Sequence, residues 1–236
     1  MQVKILFDKA ALSKNLHTGW GVSFLIDNRI LFDTGERGSW LINNMQHLGI
    51  GIDELEGVVI SHDHWDHTGG LQEILKGKKL KVFGCPNFSR DFKKRVEDSG
   101  SDFISVDKLT KISDDLYLTG EISGFYAGTS IAEQAVIIKT PRGISVLTGC
   151  SHPGIVKILK VIKNEFPEEK FYLVAGGFHL IEQDERLIRL IAEEFKKMGV
   201  SKVGPTHCTG REAEEIFKDK YKDDFISINV GQTLEL

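Results

Sequence analysis

The residues best suited to chemistry are three histidines and an aspartate that fall within six positions, His62-x-His64-x-Asp66-His67. Imidazoles and carboxylates are ligands that zinc, iron and manganese accept. His62 and His64 are two residues apart, so on an extended backbone they project to one side. Asp66 and His67 follow on a turn, where they can face a second cation about 3.5–4 Å from the first. The pattern predicts a metal site.

A strand and a helix must hold this loop in place. The apolar residues 58–60 predict a buried strand that ends where the histidines begin. Apolar residues at positions 71, 74 and 75 predict a helix after the loop, with Thr68 as its cap. Upstream, residues 22–27 and 30–33 are predicted to pair as a hairpin whose second strand ends at Asp33.

Three more histidines each follow a predicted strand in a glycine-containing loop. His152 lies in the sequence TGCSHPG, His179 in GGFHL and His207 in GPTHCTG. The chain is strand-rich at first and then alternates strands with helices. Spacing alone therefore indicates an α/β or α+β class.

Length and composition narrow the class of protein. The length of 236 residues predicts one domain, residues 1–236. The composition, with 41% hydrophobic and 27% charged residues, is typical of a soluble globular chain. The net charge of −4 offers no basic surface for nucleic acid. No stretch is apolar for long enough to predict a membrane span, and no signal peptide is recognisable. The three cysteines form no disulfide framework, so we expect a cytoplasmic protein.

The His62-x-His64-x-Asp66-His67 motif resembles the signature of the metallo-β-lactamase superfamily, and further matching elements extend the resemblance over nearly all 236 residues. The resemblance implies a four-layer αβ/βα sandwich with the metal site at one edge of two packed sheets. It also implies the metal ligands. One cation would be held by His62, His64 and His152, and a second by Asp66, His67 and a late histidine.

Two histidines are candidates for the last ligand. We favour His207, which lies in the final strand-to-helix loop, so that His179 would line the pocket as a proton donor or substrate contact. The expected cofactor is one or two divalent ions, zinc first, with iron or manganese as alternatives. A small-molecule substrate is expected, and the sequence leaves the oligomeric state open.

Two further residues have alternative roles. Asp33 matches a strand-end aspartate that orients the metal loop through hydrogen bonds in this superfamily, and the alternative is an ordinary turn residue. Cys150 stands where most dinuclear members carry a bridging aspartate. It is either a thiolate that bridges or ligates or a small buried side chain. The sequence leaves open whether both metal positions fill.

The ligand set predicts an enzyme in which water held by the cations becomes a nucleophile near neutral pH. The cations would also stabilise charge on a phosphoryl or carbonyl oxygen. Asp63 or His179 would transfer the proton of the leaving group. The leading hypothesis is a hydrolase of a small phosphorylated or ester-like metabolite.

The alternatives come from other classes. The loops around His152, His179 and His207 resemble a superfamily branch that includes 7,8-dihydropterin-6-ylmethyl-4-(β-D-ribofuranosyl)aminobenzene 5′-phosphate synthases, which join a pterin methyl diphosphate to an arylamine. In such a transferase, aromatic side chains are predicted to stack on a flat ring, the candidates being Trp20, Phe125, Tyr126 and Phe178. An iron redox member is a third hypothesis, since the same ligands accept iron. A nucleic-acid processing enzyme is disfavoured by the acidic charge, and a non-catalytic binder is least favoured.

Overall fold

The computed structural model describes residues 1–236, which fold as two compact units. The first unit comprises residues 1–107 and 228–236, and the second comprises residues 108–227. Each unit has its own main β-sheet. The single domain expected from length therefore stays a prediction. No helix is long and apolar enough to cross a lipid bilayer.

The sheet of the first unit has seven strands, and the last of them comes from the end of the chain. They are β1 (Gln2–Phe7), β2 (Ser23–Ile26), β3 (Ile30–Phe32), β4 (Gly57–Val59), β5 (Lys81–Gly84), β6 (Asp102–Ser105) and β15 (Thr233–Glu235). Their order is β15-β1-β2-β3-β4-β5-β6. Strands β15 to β3 pair antiparallel, which confirms the predicted β2–β3 hairpin, and β3 to β6 pair parallel.

Four helices connect these strands: α1 (Gly38–His47), α2 (Trp65–Thr68), α3 (Leu71–Gly77) and α4 (Arg90–Asp98). Helix α1 buries Leu41 and Met45. Beyond its end, Gly49 has a φ of 69°, the left-handed conformation that glycine adopts without strain. Helix α4 begins where the Ser89 hydroxyl accepts a hydrogen bond from the Phe92 amide.

The parallel half of this sheet brings two loops together. Strands β3 and β4 are neighbours, and every residue in them is buried. Asp33 follows β3 directly, and the histidine loop begins just after β4. Because the carboxyl ends of parallel strands meet at one edge of a sheet, these two loops lie side by side.

The second unit has eight strands: β7 (Thr110–Lys111), β8 (Leu116–Leu118), β9 (Ile122–Tyr126), β10 (Thr129–Glu133), β11 (Val136–Thr140), β12 (Gly143–Thr148), β13 (Phe171–Gly177) and β14 (Lys202–Thr206). The main sheet runs β14-β13-β12-β11-β8-β7, and β9 and β10 form a separate antiparallel hairpin. Strands β12, β13 and β14 are parallel. Strands β11 and β12 pair antiparallel as a hairpin.

Three helices follow the parallel strands of the second unit: α5 (Ile155–Glu165), α6 (Glu185–Lys197) and α7 (Arg211–Tyr221). Each buries one apolar face in a common core, and Phe178, Phe195 and Phe217 pack together within it. At the start of α6 the Asp184 carboxylate accepts a hydrogen bond from the Leu187 amide. Each strand-to-helix turn carries one of the three predicted histidines.

One local prediction is wrong. Thr68 is not a helix cap, because it ends α2 and its hydroxyl donates to the His64 carbonyl. Near the end of the second unit, a single bridge joins Phe225 to Val203.

Candidate metal centre

The loop after β4 brings three imidazoles together in the first unit. The rings of His62 and His64 lie 4.7 Å apart between centroids, and those of His62 and His67 lie 4.2 Å apart. His62, Asp66 and His67 are buried, and His64 is half-buried. Rings with polar nitrogens packed this closely away from water form a candidate site for a cation rather than an apolar core.

A buried carboxylate holds this loop. Asp33 has a φ of 56°, a left-handed conformation that aspartate tolerates better than most residues. Its Oδ1 accepts a 2.7 Å hydrogen bond from the Ser61 amide. Its Oδ2 accepts from the Ser61 hydroxyl and from His67 Nδ1, each at 2.6 Å. Asp33 therefore links the end of β3 to both ends of the histidine loop.

These hydrogen bonds fix the tautomers of two histidines. The single proton of the Ser61 hydroxyl goes to Asp33, so the same oxygen accepts from His62 Nδ1 at 2.9 Å. His67 likewise gives its Nδ1 proton to Asp33. In both rings the lone pair that a metal requires is then on Nε2.

The second ring nitrogen of His67 faces a carboxylate. His67 Nε2 lies 3.4 Å from Asp66 Oδ2. Burial lowers the pKa of His67, but the charges and hydrogen bonds of Asp33 and Asp66 outweigh burial and raise the pKa to about 10. Either a proton or a metal ion balances such a pair. Ligands at about 2.1 Å in a tetrahedral zinc site are roughly 3.4 Å apart, so the observed separation fits zinc.

Glycine at position 21 allows the chain to approach this loop. Gly21 has a φ of 92°, and a Cβ added there would lie 1.8 Å from the Asp66 carbonyl oxygen. Any larger residue would push α2 away. The sequence pattern of the metal loop itself gives no sign of this contact, because Gly21 is distant from Asp66 along the chain.

In the second unit, the carboxyl ends of β12, β13 and β14 carry His152, His179 and His207. Because these strands are parallel neighbours, the three loops meet at one edge of the sheet. The rings of His152 and His179 lie 4.4 Å apart, and Tyr126 from the β9–β10 hairpin contacts both. His207 is buried, whereas His152 and His179 are half-buried.

A buried glutamate that sequence reasoning missed holds the His152 loop. The Glu133 carboxylate accepts hydrogen bonds from three consecutive amides, those of Cys150, Ser151 and His152, at 2.9, 2.6 and 2.7 Å. Ser151 has a φ of 67°, a conformation that lets successive amides point to one acceptor. In the sequence Glu133 is a single acidic residue followed by Gln134, at the end of β10 in an otherwise largely apolar stretch.

Two cysteines lie among these histidines. Cys150 Sγ is 3.3 Å from His207 Nε2. The Cys208 thiol donates to the Cys150 carbonyl over 3.6 Å. A hydrogen bond with Cys208 raises the pKa of His179, and burial only partly opposes this shift. His179 and His207 both have a left-handed φ, 53° and 52°.

The surroundings of Asp63 and Phe178 differ from those that their predicted roles require. Asp63 Oδ2 accepts a hydrogen bond from the Ser89 amide at the start of α4, so this oxygen serves the local fold. Phe178 is 1% exposed and belongs to the apolar core, so the prediction that it stacks on a substrate is wrong. Phe125 and Tyr126 remain exposed on the β9–β10 hairpin.

The chain belongs to the metallo-β-lactamase superfamily, because the model of that family matches residues 21–187. The predicted family and fold class are thereby confirmed. The match accounts for metal dependence as a property of the superfamily, and it includes the loops of Asp33, His62, Cys150 and His179.

Relatives cover nearly the whole chain. A 7,8-dihydropterin-6-methyl-4-(β-D-ribofuranosyl)-aminobenzene-5′-phosphate synthase of Methanocaldococcus jannaschii is 29% identical over 97% of this chain and 94% of the relative. The crystal structure of Tm1679, a metal-dependent hydrolase of the β-lactamase superfamily, has a TM-score of 0.85 and 29% identity, and covers 100% of this chain and 99% of that one. YhfI from Bacillus subtilis shares the fold, with a TM-score of 0.71 and 16% identity over 99% of each chain.

Proposed function

We propose that this chain is a metal-dependent hydrolase that acts on a small phosphorylated or ester-like metabolite. The observation that carries the proposal is the buried His67–Asp66 pair, in which His67 Nε2 lies 3.4 Å from an Asp66 carboxylate oxygen, a separation that fits two ligands of one zinc ion. The likeness to a metal-dependent hydrolase at 29% identity supports the same class.

We assign the predicted donors to two cation positions. His62, His64 and His152 would hold one divalent cation, and Asp66, His67 and His207 would hold the other. Divalent cations held by these ligands would lower the pKa of a bound water molecule and stabilise charge on a phosphoryl or carbonyl oxygen. Imidazole and carboxylate ligands suit zinc, with iron and manganese as alternatives.

The remaining residues of the site hold ligands or move protons. Asp33 fixes the Nε2 lone pair of His67, as its hydrogen bond to Nδ1 requires. Glu133 fixes the backbone that carries His152. We assign proton transfer to the leaving group to His179, because it is half-buried beside the exposed Tyr126. The Asp63 carboxylate is already engaged with the Ser89 amide.

A second candidate function is favoured by one relative. The synthase of M. jannaschii aligns with 97% of this chain, and in a reaction of that kind an arylamine replaces water as the nucleophile. The carbon–oxygen bond to diphosphate breaks, a carbon–nitrogen bond forms, and the amine loses a proton. The exposed ring of Phe125 and the half-exposed ring of Tyr126 are suited to stack on a flat substrate.

Metal analysis coupled to a substrate screen tests the proposal. The purified full chain is analysed for bound metals, stripped with a chelator, reloaded with zinc, and assayed on bis-p-nitrophenyl phosphate, p-nitrophenyl phosphate and lactones. We expect metal-dependent turnover on at least one substrate. The transferase would be favoured if a pterin methyl diphosphate releases diphosphate only when an arylamine is present. An iron-dependent absorbance spectrum would favour the redox alternative.

The matched variants are His64→Ala and His47→Ala. His47 is an exposed histidine on α1 that bonds only to the Asn43 carbonyl of its own helix. We expect His64→Ala to lower bound metal and abolish turnover, and His47→Ala to change neither. Full metal content and turnover in folded His64→Ala would contradict the proposal.

A further inference from the structure

Positive charge is concentrated in one stretch of an otherwise acidic chain. Residues 76–95 contain eight lysines and arginines and a single acidic residue, whereas the net charge of the whole chain is −4. The stretch runs from the last turn of α3 through β5 to the last turn of α4. The proposed metal centre uses none of these side chains.

The fold of the first unit gathers part of this charge around one groove of about 540 Å³. The groove is lined by the C-terminal ends of α3 and α4 and by the residues that lead into β5. Its size lies within the range of small-molecule sites, about 300–1,000 Å³. The lining includes the buried Leu75, the half-buried Gln72 and Ser99, and four cationic side chains, those of Lys76, Lys78, Lys79 and Arg95.

The groove lies away from the histidine loop. Strands β4 and β5 are parallel neighbours, and the histidine loop follows the end of β4, whereas residues 77–80 precede the start of β5. The two therefore lie at opposite edges of the sheet. Helix α3 separates them, because it begins at Leu71 just after the loop and ends at Gly77 in the groove, a length of about 10 Å.

Two charged groups of the lining already have partners in the chain. The ammonium group of Lys78 donates to the carbonyls of Asp53 and Leu55, each at 2.8 Å. The carboxylate of Asp98, which is the single acidic group of the lining, is paired with Lys94 at 2.9 Å. Neither group needs a ligand to hold its position.

The other three cations of the groove have no such partner. The side chains of Lys76, Lys79 and Arg95 are exposed and make no hydrogen bond or ion pair within the chain. Gly100 leaves room for one of them, since a Cβ there would lie 3.0 Å from Lys79 Cε. These three side chains are therefore available to a ligand.

Charge in the groove is unbalanced. Four cationic side chains and one carboxylate line it, and each of the two helix C-termini adds about half a negative charge. The surplus is about two positive charges once the helix ends are included. Like charges brought together without an opposite charge repel one another. A phosphate monoester carries about −1.5 to −2 near pH 7, so one such group balances the surplus.

We propose that this groove binds the phosphate group of a small phosphorylated metabolite. Arg95 presents a planar fork of donors that suits two phosphate oxygens, and Lys76 and Lys79 supply point charges. The site goes beyond the proposed function, because it needs no metal and uses no residue of the metal centre.

Calorimetric titration of the full chain in the presence of a chelator tests this site, because chelation removes the metals that could also bind phosphate. The probes are inorganic phosphate and AMP at low ionic strength. We expect both to bind, with an affinity that falls as salt is added. Equal affinities would show that the phosphate alone is recognised, and tighter binding of AMP would show that the organic part also contributes; either result supports the site.

Substitutions in the groove should weaken this binding. Arg95→Gln and Lys79→Gln should each lower the affinity by about 10-fold, because each removes a charged donor. Both positions are exposed, so the fold is kept. Lys218→Gln is the matched control, since it removes the same charge from an exposed position in the last turn of α7, and it should leave the affinity unchanged.

Chemical acetylation of lysines, followed by mass spectrometry, locates the anion without any substitution. Bound AMP should slow acetylation of Lys76 and Lys79 but not of Lys218. Equal affinity in the three glutamine variants, no protection of the groove lysines, or binding that appears only when zinc is restored would overturn the site. Because the assay contains no metal, such a failure would leave the proposed hydrolase function standing.

Discussion

At the scale of the residue, Asp33 is the side chain on which the metal loop most depends. One buried carboxylate accepts from the Ser61 amide, the Ser61 hydroxyl and His67 Nδ1. Hydrogen bonds to a charged acceptor are about twice as strong as neutral ones. The tautomer of His67 is therefore set by a residue that does not itself need to touch the metal.

Asp33→Asn should weaken zinc binding by about 10–100-fold. Asparagine tolerates the left-handed backbone at this position, so the fold is kept. The amide nitrogen of asparagine cannot accept the hydrogen bonds that Asp33 Oδ2 receives from the Ser61 hydroxyl and His67 Nδ1. The Nδ1 proton of His67 is then no longer held, and it can move to Nε2. Zinc affinity measured against a competing chelator checks this, with the exposed Asp98→Asn as control. Unchanged affinity in folded Asp33→Asn would refute the role.

His207 and His179 should differ when each is replaced by alanine. We expect His207→Ala to lower bound metal, because His207 is buried beside Cys150. We expect His179→Ala to keep metal and to slow turnover by about 10²–10⁴-fold, as loss of a proton donor does. Metal content and single-turnover rates measure both effects. The reverse pattern would exchange the two roles.

At the scale of the element, the predictable features were those with a repeating pattern. Apolar periodicity and glycine-containing turns predicted the β2–β3 hairpin and the strand ends that carry His152, His179 and His207. The β9–β10 hairpin was not predicted, because its exposed residues include the aromatic Phe125 and Tyr126, so apolar residue types do not mark its buried face. Glu133 was not predicted either, since its partners are amides that are distant in sequence.

Glu133→Gln should destabilise the second unit and loosen the loop of His152. A glutamine has one acceptor oxygen in place of two, so a buried amide loses its partner at a cost of about 1–3 kcal/mol. Urea denaturation followed by circular dichroism measures the change, and Glu165→Gln on the exposed end of α5 is the matched control. Equal midpoints for the two variants would show that the three hydrogen bonds contribute little.

At the scale of the whole molecule, the chain folds as two compact units, and its last residues return to the first of them. Strand β15 pairs with β1 in register from Gln2 to Lys4. A metal that binds the folded chain and not the unfolded one stabilises the folded state.

Zinc should therefore raise the thermal midpoint of the full chain. At a free zinc concentration of about 100 times Kd, the stabilisation is about 2.7 kcal/mol, which for a chain of this size is a rise of about 5–10 °C. Differential scanning calorimetry with zinc and with a chelator measures it. The rise should be absent in His64→Ala and present in His47→Ala, and a rise of equal size in both would indicate binding elsewhere.

The left-handed backbone at Asp33, Ser151, His179 and His207 has an evolutionary consequence. A residue in this conformation costs the folded state roughly 1–2 kcal/mol relative to glycine. Selection for protein abundance alone would therefore favour glycine or asparagine at these positions. A library scored for cellular protein level should enrich those replacements, while the same library scored for catalysis should eliminate them. Positions at which the two screens favour opposite replacements would identify the site without knowledge of the substrate.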